Sequence, residues 1–185
     1  TIQGGFRPLK NIMGLWLIQE CRRDWQKAGQ SLSWNDIVED AKKAEPFRSI
    51  IDPDYGEFFA GGRMVEKIQD FCRKTNQPVP ETVGQIARCI YESLALKYRW
   101  ALERLEEIKG QRIDTLNIVG GGSQDGYLNQ QTANATGLTV FAGPTEGTAL
   151  GNLMVQFIHS GDFADLAEAR AAIRRSFEIK EYQPE

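Results

Sequence analysis

The chain has 185 residues, 41% hydrophobic and 25% charged, with a net charge of −3. That is ordinary for a globular protein with a sizeable core. The acidic balance excludes the basic face that nucleic acid requires, and no window approaches the roughly 18 uncharged apolar residues of a membrane span.

The first half reads as helical. Leu9, Ile12, Met13, Trp16, Leu17 and Cys21 recur at three and four, predicting a helix over 7–28 with Pro8 in its first turn and Gly29 as its stop. Ser33, with Asp36 three residues on, has the form of a capping box and opens a second helix that ends before Pro46. Residues 47–62 are irregular, with turns at Asp52-Pro53-Asp54 and Gly61-Gly62. A third helix covers 63–74, Pro78 and Pro80 break the chain, and the longest helix runs over 81–108 to Gly110.

The second half alternates. Residues 115–119 form a short β-branched strand, and Gly120-Gly121-Gly122 make a corner. A helix over 125–136 ends at Gly137, and a second strand covers 138–142. Gly143-Pro144 turns into a helix over 145–160, and a last helix covers 163–177. Strand–helix alternation predicts an α/β layered domain with parallel pairing. The helical first half is read as material packed on that sheet, and the chain as one domain over 1–185.

Three cysteines, Cys21, Cys72 and Cys89, form no metal spacing and fit a reducing cytoplasm. Cys72 and Cys89 fall near one helix junction and are read as two buried thiols. The only histidine, His159, ends a helix and is read as a partner of its dipole.

The glycine triplet carries the functional question. No Lys-Ser or Lys-Thr follows it, so it is not a P-loop; Asp125 falls where a dinucleotide fold has its third glycine, so it is not that loop either. Two readings remain open. One is a strand-to-helix turn too crowded for side chains. The other is a bare backbone against which a base or ribose lies, near a helix N-terminus. Ser123 and Gln124 are candidate donors to such a ligand or caps of the next helix. Glu146 complements the dipole of its helix, and Ala149 and Gly151 are small enough for that helix to sit close to the sheet.

The stretch "VGGGSQDGYLNQQTANATGLTVFAGPTEGTALGN" resembles the nucleotide-binding half of the FGGY family of carbohydrate kinases. The shared pattern is Val119 to Ser123, Gln130, Ala133-Asn134, Gly137, Val140, and Glu146 with Ala149-Leu150-Gly151. Asn134 stands where the family usually has Asp. "KNIMGLWLIQECRRDW" resembles the rhamnulose-kinase branch of that family. The resemblance implies an actin-like ATPase, ribonuclease-H-like fold, a sheet with helices on both faces and a helical N-terminal portion. It implies transfer of the ATP γ-phosphate, with Mg2+, to a ketose such as L-rhamnulose; other sugars of the family, and a nucleotide-binding module without transfer, stay open. It places Gln19, Gly120, Gly121, Gly122 and Ser123 at ATP and Asn11 at the sugar. No catalytic residue and no metal ligand is assigned within this chain. None of Asp52, Asp54 or Asp125 has the context of the family's base, which is expected upstream of Thr1 together with an N-terminal kinase domain. Asn11 and Gln19, eight residues apart on one helix, would differ by about 80° around it. They would reach a cleft at different depths.

Overall fold

Two capping boxes decide where the helical half begins its helices. In the computed structural model, which describes residues 7–185, Ser33 accepts from the Asp36 N–H and Asp36 accepts in return, starting α2 (Trp34–Lys43). Thr82 and Gln85 do the same for α4 (Val83–Lys109), which Gly110 closes in the left-handed conformation. Each box satisfies N–H groups that have no partner within the helix. Helix α3 (Met64–Lys74) has no cap of its own. Asp24, on α1 (Trp16–Lys27), supplies it from a distance by accepting from the Arg63 and Val65 N–H groups at 3.2 and 3.3 Å.

The chain divides into two compact units, Thr1–Gln111 and Arg112–Glu185, a division absent from the sequence reading. The core of the first is built from Leu17, Ile18 and Cys21 on α1, Ile37 and Ala41 on α2, Met64, Ile68 and Cys72 on α3, and one side of α4 centred on Ile86, Ile90 and Leu94, all buried. Helices α2 and α4 cross so closely that a Cβ on Gly84 would lie 2.3 Å from the Asp40 carbonyl oxygen.

The irregular stretch between α2 and α3 is fixed mainly by polar groups, as buried backbone requires. Glu92, 2% exposed on α4, accepts from the Phe47 N–H at 2.8 Å and from Arg88 at 2.7 Å. Arg88 in turn donates to the Ala44 carbonyl just past α2. Ser93 accepts from the Ile51 N–H, and Gln77 both accepts from and donates to the Ile50 backbone at 2.8 Å.

In the second unit, β1 (Thr115–Ile118) pairs in parallel with β2 (Thr139–Ala142), Thr115 opposite Thr139 and Ile118 opposite Ala142. Helix α5 (Gly126–Thr136) connects them. A third strand, β3 (Lys180–Tyr182), follows α6 (Gly147–Ser160) and α7 (Leu166–Ser176) and runs antiparallel to β2, giving the order β1-β2-β3. The architecture is therefore α/β, helix-rich with a small mixed sheet. Val140 and Ala142 on β2 and Leu128 and Ala133 on α5 are its buried apolar centre.

Two expectations are corrected. The first helix starts at Trp16, not at residue 7. Asp54, 41 residues away in sequence, captures the Met13 N–H at 3.1 Å and draws the preceding segment out of helical conformation. Ala149 and Gly151 do not seat α6 against the sheet: both are exposed, and nothing lies within 4 Å of where a Gly151 Cβ would be. The close approach is at Gly147, whose Cβ would stand 2.9 Å from the Val119 Cβ.

Candidate functional site

In parallel pairing, both strands end on the same edge of the sheet, where ligands of open α/β sheets sit. Here β1 and β2 end at Ile118 and Ala142, so the glycine corner and the loop over 143–146 emerge side by side. Gly143 N–H donates to the Ile118 carbonyl at 2.8 Å, Gly120 N–H to the Pro144 carbonyl at 3.2 Å, and Gln124 to the Thr145 hydroxyl at 3.3 Å.

The three glycines play different parts. Gly120 has φ 81, in the region side chains avoid, so the turn itself requires glycine there. Gly121 and Gly122 open a short 3-10 turn, Gly121–Gln124, without positive φ, and no atom lies within 4 Å of a Cβ at either. Crowding therefore does not explain them: the space above both is open.

The corner's shape is held from beneath. The Gly120 carbonyl accepts from both the Ser123 N–H at 3.0 Å and the Ser123 hydroxyl at 2.7 Å. Ser123 is buried, so its hydroxyl shapes the turn, and Asp125, not Ser123, caps α5 by accepting from the Leu128 N–H at 3.0 Å. With that carboxylate in place, α5 does not present a bare positive end to an anion. No Lys or Arg occurs anywhere over 115–160. The corner thus offers backbone, open volume and no cation, beside a carboxylate already engaged in capping α5. These suit the uncharged base and ribose end of a nucleotide, and its phosphates would draw their charge partners from elsewhere.

In the helical unit, Asn11 and Gln19 are both exposed. Gln19 stands on α1 with Leu17, Ile18, Glu20 and Cys21 buried around it. Asn11 precedes the helix, so the angle expected between the two around one helix does not apply. The Asn11 segment is pinned instead by Asp54, which takes Lys10 at 2.8 Å and Lys97 at 3.1 Å besides the Met13 N–H. Partial burial pushes the Asp54 carboxyl up, but the hydrogen bonds from Lys10, Met13 and Lys97 and the Lys97 charge outweigh it and hold the group below its ordinary value. Lys97 also pairs with Asp52 at 2.9 Å. Desolvation lowers its affinity for the proton, and the two carboxylates more than restore it, leaving Lys97 above its ordinary value.

Other residues of the sequence pattern prove structural. Gln130 donates to Asn134 at 2.8 Å and to the Gln183 carbonyl at 2.7 Å, and Asn134 accepts from the Glu185 N–H at 3.1 Å. Together they tie the C-terminal segment to α5. All three cysteines are free and buried. A hydrogen bond from Cys89 lowers the Cys72 thiol, and the same contact, with burial, pushes Cys89 up. Among the described residues, no group of three or more His, Cys, Asp and Glu side chains could hold a metal ion, and no helix is long and apolar enough to cross a membrane.

A family model described as the FGGY family of carbohydrate kinases, C-terminal domain, matches residues 1–160. The chain belongs to that family. It is 46% identical over 184 residues to a rhamnulokinase of Bacteroides thetaiotaomicron, a match covering 100% of this chain and 37% of that protein. It is 42% identical over 178 residues to a rhamnulokinase of Bacillus subtilis, covering 96% and 36%. The chain therefore spans little more than a third of the length of these curated relatives. Among solved structures, a ligand-bound xylulose kinase from Lactobacillus acidophilus aligns with a TM-score of 0.64 at 16% identity, over 94% of this chain and 34% of that one. A glycerol kinase from Plasmodium falciparum with ADP aligns at 0.59 and 12% identity, over 91% and 33%. At those identities the likeness is one of fold, and it agrees with the actin-like ATPase fold that the family resemblance implied.

Proposed function

We propose that this chain is the nucleotide-binding C-terminal domain of a cytoplasmic ketose kinase that phosphorylates L-rhamnulose to L-rhamnulose 1-phosphate. The observation that carries the nucleotide reading is the open space above Gly121 and Gly122, where neither backbone strain nor crowding calls for glycine. The sugar is supported by relatives named rhamnulokinases at 42–46% identity. The three free thiols accord with a reducing compartment.

In this reading, ATP supplies the phosphoryl group. The ketose 1-hydroxyl oxygen forms the new bond to γ-phosphorus as the β–γ bridging bond breaks, and the hydroxyl proton leaves to a carboxylate outside this chain. Gly121 and Gly122 leave room for the nucleoside, while Gly120 and Ser123 fix the turn that presents it. Gln19 offers an amide to the nucleotide, and Asn11 offers one to a sugar hydroxyl. Magnesium would supply charge neutralisation at the phosphates, and no step here is routed through it. Positioning dominates phosphoryl transfer, so the isolated chain should not phosphorylate rhamnulose.

The test is a pair of substitutions in the complete kinase. Asn11→Ala should raise the sugar KM by a factor matching a lost hydrogen bond, about 1–3 kcal/mol when the partner is left buried, with the ATP KM unchanged. Gln19→Ala should do the reverse. If both left both constants unchanged, Asn11 and Gln19 would be plain surface residues.

A further inference from the structure

Asn129 is a buried polar side chain that its surroundings satisfy only in part. It lies on α5, fully buried, flanked by buried Leu128, Thr132 and Ala133. Its Nδ2 donates to the Ser123 carbonyl at 3.0 Å, while its Oδ1 is buried without a partner. The amide's orientation is settled by chemistry, since only the NH2 end can face a carbonyl oxygen. For packing alone asparagine is a poor choice: a buried, unpaired acceptor destabilises, and an apolar side chain would fill the site without one. Local rules of this kind are broken mainly where function requires it.

The bond that the Asn129 side chain makes is to the glycine corner. The Gly120 carbonyl is held by Ser123 from within the turn. The Ser123 carbonyl, two residues beyond Gly121, is held by Asn129 from below. Releasing the second tie would leave Gly121–Gln124 free to change shape, since Gly121 and Gly122 impose no stiffness of their own. We propose that Asn129 is a positioning residue for the nucleotide: through the Ser123 carbonyl it holds the glycine turn in the form that keeps the space above Gly121 and Gly122 open. The side chain does not itself touch the ligand. The inference rests on the nucleotide reading of the corner.

The test uses the complete kinase. Hydrogen exchange first asks whether ATP protects the amides over 120–125 in the unsubstituted protein. Asn129→Leu, which keeps the branched outline at a larger volume and removes the donor, should then raise the ATP KM about 5- to 100-fold. The sugar KM should stay within about twofold, and melting without nucleotide should stay within a few degrees of the parent, because loss of the orphan acceptor offsets the added bulk. Asn129→Ala reads the same constants should the leucine not fit. Asn129→Asp adds a signature that a mere packing role would not give. Its protonated carboxyl can donate to the Ser123 carbonyl and its carboxylate cannot, so the ATP KM should improve as pH falls. Protection by ATP together with unchanged ATP KM in the leucine and alanine variants overturns the proposal and leaves the nucleotide reading intact. Absence of protection in the unsubstituted protein overturns both.

Discussion

Gly121→Val separates a glycine kept for the fold from one kept for a ligand. In the free protein the added Cβ meets nothing: no atom stands within 4 Å of it, and φ is not positive. Replacing glycine by alanine at such a compatible position stabilises by about 0.4–1 kcal/mol, because the unfolded chain loses freedom. In a unit of this size each kcal/mol moves the melting temperature by roughly 4–8 °C. The stiff branching of valine removes part of that gain, so the free variant should melt within a few degrees of the parent or slightly above it. With nucleotide present the same methyl groups stand where the nucleoside is proposed to lie. Overpacking of that kind amounts to about 1–3 kcal/mol, or roughly 5- to 150-fold in affinity. Thermal melting without ligand and steady-state constants for both substrates in the complete kinase measure the two effects. A lowered melting temperature in the free protein would mean that the glycine serves the fold. An equal rise in both Michaelis constants would mean that the corner does not act on the nucleotide alone.

Gly84→Ala tests the helical unit. Its Cβ would lie 2.3 Å from a backbone oxygen of α2, so the helices must part. A clash at the upper end of the 1–3 kcal/mol range, less about 1 kcal/mol of helix propensity, leaves a net loss of about 2 kcal/mol. That should appear as a melting point roughly 8–16 °C lower, and an unchanged one would refute the close crossing. Asp54→Asn tests the pin on the Asn11 segment. The Asp54 carboxyl is held below its ordinary value, so its stabilisation is present above the ordinary aspartate range and is lost as pH falls through the lowered value. Urea unfolding should show the parent ahead of the variant near neutrality and the gap closing below about pH 4; a gap independent of pH would mean the ion pairs contribute nothing.

Legibility in the sequence followed the range of the interactions. The Ser33–Asp36 capping box, the Gly110 and Gly137 stops and the strand–corner–helix order are set by neighbours a few residues apart, and the sequence pattern shows them. The segment before Trp16 has helical periodicity, yet Asp54 decides its conformation through contacts spanning 41 and 44 residues, and nothing local announces them. Strand β3 is three residues, Lys-Glu-Tyr, with no apolar run to mark it; it exists because β2 offers an edge. At the corner, the residue types were visible but their roles were not. Only the geometry separates Gly120, which the turn requires, from Gly121 and Gly122, which it does not. In the sequence Asn129 is one polar helix residue among several, and only the fold brings its side chain to the Ser123 carbonyl.

The most direct test of the account is a phosphoryl-transfer assay of the complete kinase with ATP across a panel of ketoses that includes L-rhamnulose, L-ribulose and D-xylulose. The account predicts the highest kcat/KM for L-rhamnulose, with phosphate on the 1-hydroxyl, and none of that turnover from the isolated 185-residue chain. A clear preference for another ketose, or robust turnover by the isolated chain, would contradict it.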